Sequence, residues 1–358
     1  MSSTAAPVRA ASRTVLLVEG SFNVHAAKTA SCFLRYRPEE VVAILDSTNR
    51  GRTAQDVVGF GGAVPVVGSI EEALPLRPDR LLIGIAGPGG KLPAAWRPML
   101  LRALEAGLDL WGGLHDFLSA DPVLVEAARR CGRKLVDLRA VPDDLSTPNG
   151  SRAAVKVPVI TAVGSDCNVG KMTVTWEIAR QAEQRGLRYA FVATGQTGVL
   201  LNHGRGLAVD RVISDFVAGA MERIVVEAAS GAEAILVEGQ GSLIHPFYSG
   251  VTLGLLHGSA PDALLLCHVA GRRAVRHAEH IAIPSLTRLR AIYEEAAGWI
   301  KPARVLGVSL ATHQLDERSA REALRAAADE TGLPVEDTVR WPDGSLLAAC
   351  ERFRSTAR

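Results

Sequence analysis

Short, continuously apolar runs alternate along this chain with longer stretches whose apolar positions recur every three or four residues. The runs are TVLLVEG, VVAILDS, VPVVGS, RLLIGIAG, LDLWGGL and KLVDLR, then VPVITAVG, YAFVATG, AILVEG, ALLLCHV and VLGVSL. Runs rich in Val, Ile and Leu without alternation are the pattern of strands covered on both faces, as in parallel sheets. Between them lie amphipathic segments such as PAAWRPMLLRALEAG and DERSAREALRAAADETG, which predict helices. Strand and helix in alternation give the α/β class.

Pattern and punctuation together suggest two domains. The stretch RAVPDDLSTPNGSRAAVKVP, 139–158, is rich in Pro, Ser, Asp and Asn and reads as a junction. We therefore expect a small, polar, disordered tail at 1–12, a Rossmann-like domain at 13–140, a linker at 141–157 and a second α/β domain at 158–358. At 358 residues each domain is long enough to bury its own core.

Composition excludes several function classes. Forty basic and 38 acidic side chains leave a formal charge of +2, too little to recruit nucleic acid or an anionic membrane. The five cysteines are odd in number, scattered, and never in a metal-like pair, so neither a disulfide framework nor a metal site is expected. Without a signal-like h-region or a run long enough to span a bilayer, the chain reads as cytoplasmic.

The strongest chemical signal is VGSDCNVGKMTV, 163–174. Gly164, Gly170 and Lys171 fit the phosphate-binding pattern G-x-x-x-x-G-K-[ST], between a strand (VPVITAVG) and a helix (MTVTWEIARQAEQRG). Backbone N–H groups, the helix N-terminus and the lysine converge on phosphate oxygens in such a loop. The cofactor-binding candidates are Gly164, Ser165, Asp166, Cys167, Asn168, Val169, Gly170, Lys171, Met172 and Thr173. Met172 stands where a hydroxyl would hold Mg²⁺, and Thr173 is rotated about 100° away on the helix. The loop therefore signals phosphate binding more strongly than phosphoryl transfer, which depends on that metal.

Other polar clusters follow strands of the same domain. FVATGQTGVL offers Thr194, Gln196, Thr197 and Gly198 in a loop suited to a small polar ligand. AILVEGQGSLIHP offers Glu238, where P-loop proteins keep an acid, followed by Gln240, Ser242 and His245. DRVISDFVAGAMERIV brings Asp210 and Asp215 to the start of a helix. Glu238, His245 and Asp215 are the catalytic candidates, and Thr194, Gln196, Thr197, Gly198, Gln240 and His115 the substrate-binding ones. Each has a plainer reading as a helix cap or turn, but four polar loops on one sheet edge favour a site. The segment CHVAGRRAVRHAEH places His277 and His280 on one face if helical, and reads as a solvated basic stretch whose Arg272, Arg273 and Arg276 can pair with an anion.

The first domain is less specific. Asp46 ends VVAILDS where an acid can meet a ribose hydroxyl, but EGSFNVH lacks the dinucleotide glycine pattern, which favours a structural Rossmann half. GIAGPGGKLP, with Lys91, is either an anion cradle or a tight turn, and His115 in GLHDF is either an acid–base group or a helix cap.

The set GSDCNVGKMT, ATGQTG, DFVAGAME and VEGQGSLIHP, preceded by GIAGPGGKLPAAWR and GLHD, resembles a two-domain bacterial family represented by D-glutamate N-acetyltransferase. The resemblance covers about 14 to 350. It implies an acetyl-CoA-dependent N-acetyltransferase acting on a D-amino acid, most simply D-glutamate, with an N-terminal Rossmann-like domain, a C-terminal P-loop NTPase-like domain of mostly parallel sheet, and a homo-oligomeric assembly. The C-terminal half is similar in turn to dethiobiotin synthetase, an ATP-dependent enzyme whose loop keeps the hydroxyl that Met172 replaces here. Two alternatives stay open: an Mg-ATP-dependent ligase or kinase, and a non-catalytic CoA- or nucleotide-binding regulator. With acetyl-CoA in the loop, Glu238 or His245, with Asp215 behind them, would take the amine proton, and amides near Gly195 to Gly198, or Gln240, would hold the oxyanion.

Overall fold

The structure is a computed structural model that describes residues 12–23, 26–85 and 90–356. The expected N-terminal tail therefore lies almost wholly outside the described residues, as do 86–89 of the glycine-rich GIAGPGGKLP turn and two positions after EGSFN. The chain divides into two compact units, 1–140 and 141–358. All eleven sequence-predicted strands form.

In the first unit β1 (Thr14–Leu17), β2 (Val41–Leu45), β3 (Val66–Val67), β4 (Arg80–Ile83), β5 (Asp109–Gly112) and β6 (Leu135–Asp137) make a parallel sheet in the order β3-β2-β1-β4-β5-β6. This is the doubly wound Rossmann order. β1 and β4 are buried along their whole length, which is why they read as unbroken apolar runs. The Pro122–Cys131 helix shows how local sequence sets its ends: Asp121 accepts from the N–H groups of Val123 and Leu124, Pro122 opens the first turn, and Gly132 at φ +63° closes the last.

The second unit contains β7 (Val159–Gly164), β8 (Tyr189–Val192), β9 (Ala234–Val237), β10 (Ala263–Val269), the hairpin β11 (Ala274–Val275) with β12 (Ala278–Ala282), β13 (Arg304–Ala311) and β14 (Val335–Glu336). Six of them form a parallel sheet in the order β14-β13-β10-β7-β9-β8. β7 and β10 are buried on both faces. Ile160 and Ala162 pack with Val174, Ile178 and Leu346 on one side, while Val163, Leu264 and Leu266 meet Leu289 and Tyr293 on the other.

Three expectations change. The stretch 141–157 is part of the second unit: Glu222 accepts from the N–H groups of Asn149 and Arg152, and the buried Arg152 guanidinium pairs with Asp262 at 2.9 Å. Burial raises the Glu222 pKa, but backbone donors outweigh it and hold the carboxyl below its usual range. The segment carrying His277 and His280 is the β11–β12 hairpin and not a helix, with His277 at φ +64° in its turn. Finally, Gln196, Thr197 and Gly198 open a short helix, Gln196–Leu201, and are not a loop.

Candidate functional site

β7 ends at Gly164 between β9 and β10, so the loop 164–171 emerges at the carboxyl edge of the sheet with the ends of both neighbours beside it. Gly170, at φ +96°, turns the chain into the Lys171–Gln184 helix, a conformation that favours glycine. Val169 is buried in the core and pins the loop from below, while Asn168, at φ +52°, is exposed at its crest. Ser165 donates its N–H to Cys267 O of β10.

Polar side chains brace this loop on all sides. Asp166 is fully buried: Oδ1 accepts from the N–H of Cys167 at 2.7 Å, and Oδ2 accepts from Arg272 Nη1 at 3.1 Å and from the N–H of Arg276 at 2.9 Å. Arg272 also donates to Cys167 O at 2.9 Å. The hairpin β11–β12 thus closes over the loop, with Arg272 as the cation that meets it; Arg273 and the Arg276 side chain are exposed. Lys171 Nζ, buried, donates to Asp166 O at 2.7 Å.

Two bracing contacts were not read from the sequence, which places His268 in the solvated basic segment and says nothing of Tyr293. Tyr293, buried in the Leu286–Gly298 helix, donates to Gly164 O at 2.7 Å and accepts from the N–H of Leu243 at 3.0 Å, tying the loop to the segment after β9. Ser165 Oγ lies 2.8 Å from His268 Nδ1. Burial, reinforced by the Arg272 charge, pushes His268 down to about 4, so the ring is neutral at physiological pH. His268 is therefore a half-buried partner of the loop and not part of a solvated basic stretch. Nothing in the local pattern marks either residue, because each meets the loop across more than 100 positions of sequence.

Glu238 follows β9, and its Oε2 accepts from the N–H of Thr194 at 2.9 Å and of Gly195 at 3.3 Å, while Thr194 Oγ1 donates back to Glu238 O. The carboxylate is wedged into the turn after β8, where a methyl group at Gly198 would strike Oε2 and one at Gly195 would strike Gln240 Nε2. This is why 194–198 carries glycine. It also means that one donor expected for an oxyanion, the N–H of Gly195, is spent on Glu238.

His245 is 1 % exposed, and its Nδ1 accepts from the N–H of Phe247 at 3.2 Å. An accepting Nδ1 puts the proton of the neutral ring on Nε2. Among the described residues, that Nε2 has no hydrogen-bond partner. It points at the loop, 3.7 Å from Asp166 Oδ1, too long for a hydrogen bond.

Asp166 Oδ1, Cys167 Sγ and His245 Nε2 lie within 4.8 Å of one another, close enough to suggest three ligands of one ion. The tautomer argues otherwise, since a protonated Nε2 has no lone pair for a metal. All five cysteines are free thiols, and burial drives Cys267 and Cys350 up to about 12.

Of the remaining candidates, Met172 is buried, Thr173 and Gln240 are half-buried, and Thr197 is buried in the first turn of the Gln196–Leu201 helix. Asp215 is exposed in the turn before the Val217–Ala228 helix. His115 belongs to the first unit, where its N–H donates to Gly90 O at 2.8 Å. Among the described residues no helix is long and apolar enough to cross a membrane.

Two domain families match this chain. Residues 47–141 match a domain of unknown function described as Rossmann-like (DUF1611_N), and 146–347 match its C-terminal partner, described as a P-loop domain (DUF1611_C). A protein named D-glutamate N-acetyltransferase from Tritonibacter scottomollicae is 38 % identical over 282 residues, 78 % of this chain and 84 % of that protein. Another of the same name from a Pseudoalteromonas species is 34 % identical over 281 residues, 78 % of this chain and 83 % of that protein. The crystal structure of a DUF1611 family protein from Anabaena variabilis superposes with a TM-score of 0.90 at 37 % identity, covering 95 % of this chain and 99 % of that one. The chain belongs to the two-domain DUF1611 family, the family of the proteins named D-glutamate N-acetyltransferase.

Proposed function

We propose that the protein is an N-acetyltransferase that moves an acetyl group from acetyl-CoA to the amino group of a D-amino acid, D-glutamate first among them, and that the 164–171 loop holds the diphosphate of CoA. The names of its relatives support the reaction and the acceptor. The observation that carries the choice of donor is Met172. It is buried at the position where an ATP-cleaving loop needs a hydroxyl for Mg²⁺, and a diphosphate handle needs no such group.

This reading constrains the chemistry. The linker between the diphosphate of CoA and its sulfur has about as many bonds as four peptide residues, so it reaches about 15 Å when extended. His245, which stands over the loop, then serves the diphosphate, and the acyl carbon lies well beyond it. Glu238 braces the 194–198 turn. The group that takes the proton from the substrate ammonium, freeing the amine to attack, is to be sought a linker's length from Lys171; Asp215 lies exposed in the turn before the Val217–Ala228 helix.

Incubation with acetyl-CoA and a panel of D- and L-amino acids, following free thiol, tests the proposal. D-glutamate-dependent thiol release is the expected result; Mg-ATP consumption without thiol release would replace the proposal with a ligase or kinase, and binding without turnover would replace it with a regulator. Lys171→Ala is expected to lower CoA affinity about 100-fold, the range of a charge-assisted contact with phosphate. Unchanged affinity, measured by calorimetry, would remove the loop from CoA binding.

A further inference from the structure

We infer that this loop binds a diphosphate without a metal ion, and that the Nε2–H of His245 is a dedicated donor to that diphosphate. The inference rests on the proposal that the loop holds a diphosphate-bearing cofactor, and goes beyond it by assigning how the charge is met.

Two features weaken the usual holders of Mg²⁺ in a P-loop. At the loop position that normally supplies a hydroxyl, Met172 presents a buried thioether, a weak acceptor and a poor ligand for a hard cation. At the acidic position after β9, Glu238 Oε2 accepts from the N–H groups of Thr194 and Gly195. Using that oxygen for a metal would unpair two buried backbone donors, which is costly.

What the site offers instead is cationic and donating. Lys171 Nζ and the Arg272 guanidinium both lie on the loop, held to Asp166 O and to Asp166 Oδ2 and Cys167 O. The Asp166 carboxylate would repel an incoming phosphate. Its Oδ2 is covered by Arg272 and the N–H of Arg276, and its Oδ1 by the N–H of Cys167, so its charge is largely screened from the loop.

His245 Nε2 completes the argument. A buried N–H with no acceptor costs free energy in the empty protein, and such groups are rare unless a ligand satisfies them. The hydrogen bond from Phe247 to Nδ1 fixes the ring so that only a donor faces the loop. A donor there suits a phosphate oxygen and rejects a metal cation. The same hydrogen bond explains why the trio Asp166, Cys167 and His245 is not assigned to an ion.

The test is calorimetric titration of the full-length protein with CoA, ADP and inorganic pyrophosphate, each in excess EDTA and again in excess Mg²⁺. Full affinity in EDTA is expected, with no gain for any probe in Mg²⁺; for ADP and pyrophosphate, which Mg²⁺ complexes in solution, apparent affinity should fall in excess Mg²⁺. His245→Asn, which keeps an acceptor near the Nδ1 position but loses the distal N–H, is expected to weaken all three probes about 10-fold, and His245→Gln, which restores a distal N–H, to recover most of it. CoA binding that requires Mg²⁺ would overturn this inference and leave the CoA reading standing. Failure of all three probes to bind would overturn both.

A further measurement needs no variant. Histidine ¹⁵N–¹H correlation of the unmutated protein is expected to show His245 as the Nε2–H tautomer, with that proton shifting on addition of pyrophosphate. An Nδ1–H tautomer, or a proton that pyrophosphate does not move, would overturn the assignment.

Discussion

Asp46 in the first unit and Asp166 in the second both follow a parallel strand at its carboxyl edge, and both are fully buried. Asp46 is closed upon itself: it accepts from the N–H of Gly20 at 3.0 Å, from the N–H and Oγ1 of Thr48, and from Asn49 Nδ2 at 2.7 Å. These bonds consume the carboxylate that a ribose would need, so the sequence-level option of a dinucleotide contact becomes a turn brace. Asp166 is equally well satisfied, but the group next to it is not. His245 Nε2 faces the same loop with its proton unused. Of these two strand ends, the one with a buried donor left over beside it is the better candidate for a ligand, because an unspent donor is what a ligand can satisfy.

The largest effect separating the two regions is expected in acid. His268 stays neutral in the folded protein down to about pH 4, whereas in the unfolded chain it takes a proton near its ordinary value of 6.5. The unfolded state thus binds more protons between these limits, and stability is lost as pH falls through that window, by up to about 3 kcal/mol. Melting temperature against pH should show this limb, and His268→Gln should flatten it. Asp46 acts in a lower window. Burial raises its pKa, but the donors around it outweigh that and hold it below its usual value, so its contribution is complete above about pH 4 and lost below.

Asp46→Ala leaves several buried donors unpaired and is expected to cost about 2 kcal/mol, read by denaturant unfolding. CoA affinity should be unchanged, and a fall in affinity would break the distinction drawn between the two acids. The smallest effect is expected from Tyr293→Phe, about 1 kcal/mol for hydrogen bonds that join Gly164 to Leu243. Its value lies in the second readout: a loosened loop should also weaken pyrophosphate binding slightly, whereas Asp46→Ala should not.

Strands were legible because β7, β10 and their neighbours are buried on both faces and must be apolar throughout. The hairpin β11–β12 and the two-residue β14 were missed, since exposed residues such as Glu279 and His280 carry no apolar period. Glycine spacing with Lys171 located the phosphate loop, as the backbone path itself demands those residues. Arg272 was legible as an anion partner, though not as the partner of Asp166.

The sequence alone determined two parallel α/β sheets, the loop, and the missing hydroxyl at Met172, all of them local demands of backbone and burial. Only the tertiary structure decided which polar groups are spent. Glu238 turns to the amides of Thr194 and Gly195, Asp46 to its own turn, His268 to Ser165, and among the described residues His245 Nε2 is left without a partner. The physical reason is that hydrogen bonds pair groups brought together from distant strands, and a residue's type states what it can donate or accept but not whether a partner has already been found.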